Sequence, residues 1–186
     1  DITVWGGVIL EQREEIIRIF SKDIRSILKQ AEVDFGQVQE VRLRIQSPLL
    51  IICSNQEYYL TTEGKKTEAT AENRKRAYEV TRADLKETLE YVSSYSLYAF
   101  EEELRQGYLT IQGGHRVGVA GKTIVEGKGI RGMKFISCMN VRLSHQIRGC
   151  ADLVMPCIYR DGQLENVLIV SPPRCGKTTL LRDLIR

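Results

Sequence analysis

VLIVSPPRCGKTTLLRDLIR, residues 167–186, decides how the chain is read. Val167–Val170 is a short apolar run rich in β-branched residues, the composition of a strand. Ser171-Pro172-Pro173-Arg174-Cys175-Gly176-Lys177-Thr178 follows at once. Leu180, Leu181, Leu184 and Ile185 then share one face of a helical pattern, with Arg182, Asp183 and Arg186 elsewhere. Strand, loop and helix in that order are the setting of a phosphate-binding loop. The segment meets G-x-x-x-x-G-K-[ST] at each defined position except the first, where Ser171 stands in place of Gly.

The residue types suit the chemistry. Gly176 lets backbone approach a phosphate, successive amides point at anionic oxygens, and the positive end of a helix starting there adds attraction. Lys177 reaches the β- and γ-phosphates, the Thr178 hydroxyl ligates magnesium, and Thr179 contacts phosphate or caps the helix. Arg174 is bulky where a small residue would curve more easily, and adds a cation. The candidate nucleotide site is therefore Ser171, Pro172, Pro173, Arg174, Cys175, Gly176, Lys177, Thr178 and Thr179, with ATP and Mg2+ as cofactors and Thr178 as the metal-binding residue. No strand ending in an acidic residue follows the motif within these 186 residues. The segment is expected to bind ATP without hydrolysing it by itself, and no complete catalytic set is assigned.

Outward from the motif, composition sets the bounds. With 42% apolar and 27% charged residues the chain is globular, long enough for one ample domain or two small ones. No apolar run is long enough for a membrane span and no basic leader is visible, so a cytoplasmic address is expected. Five cysteines without a Cys-x-x-Cys pair and only two histidines argue against zinc. The charge is uneven: residues 112–149 hold seven cations and one acid, Glu126, within a chain of net charge +3. Such a block can meet phosphates or an acidic partner. Its single aromatic, Phe135, is too little stacking surface for nucleic acid, and no nucleic-acid partner is expected.

Earlier segments read as a mixture of helix and sheet. Ile9 to Ala31 has helical periodicity, as one helix or two broken near Ser21. Val41, Leu43 and Ile45 alternate with Arg42 and Arg44, and Leu49–Cys53 and Tyr58–Leu60 follow as strands. Residues 62–76 read as a solvated loop, Tyr78–Val80 as a short strand. Thr81 with Asp84 predicts a capped helix start, Ser93–Ser96 an interruption, and Leu97–Gln106 a second helix ended by Gly107. Tyr108–Gln112 and Arg116–Thr123 read as strands joined at Gly113-Gly114, with Gly118 and Gly121 marking a bulge or close backbone approach. Met139–Leu143 is another strand. His115 is expected to support the hairpin turn. The division predicted is an α+β N-terminal domain over residues 1–144, helices plus a mixed or antiparallel sheet, then a connector over 145–165 with a short helix near Ala151, then residues 166–186.

IQGGHRVGVAGK (111–122), RGCADLVMP (148–156) and LIVSPPRCGKTTLLRDLIR (168–186), in that order and spacing, resemble the stage III sporulation protein AA family, and EVRLR with Pro48 fits the same assignment. The family is similar to secretion-type ATPases. The resemblance implies that residues 166–186 begin a RecA-like α/β P-loop domain, that the complete protein is a hexameric ring ATPase, and that Arg116, Arg142 and Arg148 sense nucleotide phosphate. It further implies a role in energising the channel between mother cell and forespore during endospore formation, a cytoplasmic place in the mother cell, at most peripheral at the membrane, and membrane proteins of that channel as partners. The alternative is a non-enzymatic ring-forming or partner-binding adaptor with an incomplete P-loop.

Overall fold

Along β1 (Val38–Arg44), Val41 and Leu43 are buried while Arg42 and Arg44 are not, so one face of the strand turns to a core and the other carries charge. The computed structural model describes residues 13–93, 103, 106–126, 129–145, 149–160, 162–172 and 175–185, with backbone alone at 126, 129–131 and 160. The chain divides into two compact units, Asp1–Ser144 and His145–Arg186.

In the first unit β1 is the middle strand of a seven-stranded sheet. Beside it lie β2 (Leu50–Cys53), β3 (Gln56–Leu60) and β4 (Lys66–Glu68); on its other side lie β7 (Gly129–Arg142), β6 (His115–Glu126) and β5 (Tyr108–Ile111). The order is β4-β3-β2-β1-β7-β6-β5, two meanders joined where β1 meets β7, and every pairing is antiparallel. Leu109, Val117, Val141, Val41 and Ile51 form one cross-strand row through five strands, each at most 1% exposed. Burial of each such side chain contributes about 1.5–3 kcal/mol. The same core takes in Ile24, Ile27 and Leu28 of α1 (Lys22–Gln30) and Leu85 and Val92 of α2 (Arg82–Val92).

The periodic stretch before residue 31 does break at Ser21. Helical residues 13–17 precede it, and Ser21 caps α1, its Oγ accepting from the Ile24 amide at 3.4 Å. Thr81 and Asp84 form a reciprocal capping box at α2. The turn after β5 is one 3-10 turn, Gln112–Gly114, with Gly113 and Gly114 both at positive φ. The expected interruption at Ser93–Ser96 and the helix over Leu97–Gln106 lie largely outside the described residues; Glu103 and Gln106 are helical, and Gly107 has φ 81°.

Several expectations are corrected. Residues 62–76 are not all loop: β4 and a 3-10 turn at Asn73–Arg76 lie there. A three-residue polar edge strand is held by backbone bonding to β3 and leaves no apolar alternation to read. Tyr78–Val80 is not a strand but a segment with a single bridge within it, Pro48 to Glu79, and another just before it, Thr61 to Ala77. β7 is far longer than Met139–Leu143, because its first half pairs only with β6, as a ribbon running past the ends of β1 and β5.

The second unit holds α3 (Met155–Ile158), the hairpin β8 (Tyr159–Arg160) and β9 (Gln163–Leu164), and α4 (Lys177–Leu184). Its short helix starts four residues beyond Ala151. Val167–Val170, expected as the strand before the loop, has no strand pairing, and Leu168 and Val170 are 87% and 81% exposed. A strand exists only through its ladder, and among the described residues of this unit the one ladder is the two-residue β8–β9 hairpin.

Candidate phosphate-binding loop and arginine row

α4 starts at Lys177 because Gly176 takes a left-handed conformation, φ 79° and ψ 7°, that turns the chain into the helix. A Cβ there would meet nothing within 4 Å, so the backbone stands open, while any other residue would be strained at that φ. The first amides of a helix lack intrahelical acceptors, and no side chain caps this one. Lys177 and Thr178 are exposed in the first turn and Thr179 is half-buried. The Lys177 ammonium donates to the Ser171 carbonyl at 3.3 Å, spanning the loop. Cys175, Gly176, Lys177, Thr178 and Thr179 thus form a bend and helix start, to which Lys177 ties Ser171; Pro173 and Arg174 lie outside the described residues.

At the other end of α4 the Asp183 carboxylate accepts from the Ala151 amide at 2.9 Å. That bond, helped by the Cys150 thiol and by the nearby Gly149 and Cys150 amides, holds its pKa below the usual carboxylate value against the opposing pull of desolvation. Cys150 Sγ lies 3.8 Å from the Thr179 carbonyl oxygen. The Cys150 thiol is pushed up by desolvation and by Asp183.

In the first unit, Arg116 and Arg142 are direct cross-strand partners, and Arg142 in turn is opposite Glu40. All three lie on the sheet face away from the Val117–Val141–Val41 row. Like charges placed opposite one another repel; Glu40, on the other side of Arg142 from Arg116, offsets this, its Oε2 at 3.5 Å from Arg142 Nε and its Oε1 at 2.7 Å from Arg42 Nε. Arg42 also reaches Glu57 at 2.7 Å. The Glu40 hydrogen bond, outweighing desolvation, raises the Arg42 pKa, so this guanidinium stays charged. Two of the three predicted phosphate-sensing arginines are therefore neighbours; Arg148 lies outside the described residues.

Sequence reasoning missed Glu40, Arg42 and Asp183 as site residues. For the first two the signal was present: in Glu40-Val41-Arg42 the outer residues share one strand face. For Asp183 nothing in its neighbourhood shows that a turn more than thirty residues upstream supplies its donors. His115 does more than support a turn: buried, its Nδ1 accepts from the Ser144 amide at 2.9 Å, fastening the chain after β7.

The sheet with its arginine row and the glycine-opened Lys-Thr-Thr helix define a chain with an α+β unit followed by a small unit bearing a loop suited to phosphate. The family model for sporulation stage III, protein AA matches residues 10–186, and the chain belongs to that family. It is 39% identical over 173 residues to stage III sporulation protein AA of Bacillus subtilis (strain 168), an alignment covering 92% of this chain and 51% of that protein. The chain thus spans about half the length of the curated relative it matches. Among solved structures, the VirB11 ATPase from the Brucella suis type IV secretion system, crystallised in complex with sulphate, aligns with a TM-score of 0.38 and 12% identity over 83% of this chain and 38% of that one. That score is too low to equate the two folds. Among the described residues no helix is long and apolar enough to cross a membrane.

Proposed function

We propose that Ser171–Thr179 binds the phosphates of ATP, and that the chain is the ATP-binding part of a secretion-type ATPase that energises the mother cell–forespore channel during endospore formation. The observation carrying this is the opening of α4 by left-handed Gly176, with uncapped amides and the Lys177 and Thr178 side chains in the same turn. Lys177 would meet the β- and γ-phosphates, and Thr178 would hold Mg2+. Magnesium, when bound, neutralises charge on the phosphates. Membership of the sporulation family supports the cellular setting. With it goes a cytoplasmic address in the mother cell, a ring of identical subunits, six in the complete protein, and membrane proteins of the channel as partners. The start of a RecA-like domain at residue 166 is part of the same reading.

The test is calorimetric titration of the protein with Mg·ATP. Lys177→Ala, which removes a charge-assisted contact, is expected to weaken binding about tenfold or more. Unchanged affinity would overturn the nucleotide reading and leave a partner-binding adaptor.

To Arg116, Arg142 and Arg148 we assign phosphate sensing, supported by the cationic block and by the Arg116–Arg142 pairing. Charge reversal of Arg116 and Arg142 in the full-length protein is expected to lower nucleotide affinity or turnover, and no change in either sinks the assignment.

A further inference from the structure

No side chain of α4 is fully buried, and Leu180 and Leu184 are only half-buried, so apolar packing holds the direction of this helix weakly. Its polar bonds add to that hold. Asp183 stands in the last turn, where a negative charge opposes the helix dipole. That placement is offset by the Ala151 amide, which donates to the carboxylate at 2.9 Å, with the Gly149 and Cys150 amides and the Cys150 thiol lending lesser electrostatic support beside it. Gly149, two residues before Ala151, has φ 78° and turns the chain there. One turn earlier on the same helix face, the Thr179 carbonyl oxygen faces Cys150 Sγ at 3.8 Å. The turn itself is braced: Ala151 is 2% exposed, and its carbonyl accepts from the amides of Val154 and Met155 at 2.8 and 2.9 Å.

We propose that the Gly149–Ala151 turn and the Asp183 carboxylate form a clamp that sets the axis of α4 and so aims the phosphate-binding amides at its start. Asp183 is a positioning residue for nucleotide, resting on the reading of Ser171–Thr179 as an ATP site. A helix is stiff over this distance: Asp183 lies about 9 Å along the axis from Lys177, so tilt at one end becomes misalignment of the donors at the other. The clamp also gives Gly149–Ala151 a task in the nucleotide site although they lie outside the loop.

The experiment uses Asp183→Asn, Gly149→Ala and the double variant in the full chain. It reads Mg·ATP affinity by calorimetry, amide exchange at residues 149–151 and thermal midpoint. Asp183→Asn keeps the shape and one acceptor oxygen but removes the negative charge. It is expected to weaken Mg·ATP about tenfold, the worth of a charge-assisted bond, and to speed exchange of the Ala151 amide. Gly149→Ala, strained at that φ, should do the same by another route. If the two act through one clamp, the double variant binds no more weakly than the weaker single variant. Faster exchange with unchanged affinity overturns the positioning role, as does a fully additive double variant. If the unaltered protein binds no Mg·ATP, the nucleotide reading falls and the positioning role with it. That failure is distinguishable, because Asp183→Asn then still speeds exchange of the Ala151 amide.

Discussion

Asp84 is 2% exposed, yet its carboxylate is hydrogen-bonded on both oxygens. Ser21 Oγ donates to Oδ1 at 2.6 Å; Tyr78 OH, the Thr81 amide and Thr81 Oγ1 donate to Oδ2 at 2.9, 2.9 and 2.7 Å. Desolvation pushes its pKa up, but these bonds together outweigh it and hold the carboxyl below its usual value. Tyr78, by burial and by this bond, is pushed well above the normal tyrosine value. A folded pKa below the unfolded one stabilises the native state above the unfolded pKa, about 4 for Asp, and loses that contribution as pH falls through the folded value. Asp84→Ala should therefore cost about 3 kcal/mol at neutral pH, since it orphans several buried donors. In urea titrations at several pH values its deficit should shrink toward strong acid.

At the scale of elements, the β6–β7 ribbon carries a bulge in which Gly121 faces Phe135, Ile136 and Ser137, between the pairs Ala120–Cys138 and Lys122–Lys134. A Cβ on Gly121 would lie 2.8 Å from the Lys134 carbonyl oxygen and 2.9 Å from Ile136 Cα, both backbone. Gly121→Ala must displace a strand, and a loss of about 1–3 kcal/mol is expected by chemical denaturation. On the opposite side of the bulge Phe135 has φ 50° and is 72% exposed. It bears a left-handed penalty of about 1–2 kcal/mol with little burial to offset it. Phe135→Asn should raise the urea midpoint, and a lowered midpoint would show that the ring's remaining contacts outweigh the strain.

What could be read from residues follows from how local each cause is. The Ser21 break, the Thr81–Asp84 box and the Gly121 close approach rest on side chains a few positions apart or on the lack of one. The extent of β7 escaped because Gly129 and Gly132 dilute its strand character, and its pairing comes from β6 across the ribbon. Val167–Val170 shows the reverse: strand composition without a ladder is not a strand. In the candidate site the loop residues were legible as a contiguous motif, whereas the pairing of Arg116 with Arg142 and the donors to Asp183 come from tertiary register.

For the whole molecule, every residue of the main buried cluster belongs to the first unit. Residues 1–144 alone are expected to unfold cooperatively, with a thermal midpoint within a few degrees of that of the 186-residue chain. A broad, non-cooperative melt would contradict the division.

The seam of the sheet joins Arg44 to Cys138, which gives synthesis itself a part in folding. At about 5–20 residues per second, a ribosome needs roughly 5–20 seconds to make the chain between them. Throughout that interval the first meander can form while the β1 edge that will receive β7 has no partner, the kind of edge that invites pairing with another nascent chain. Glu40, Arg42 and Arg44 sit on that strand, and charged side chains on an open edge disfavour such pairing.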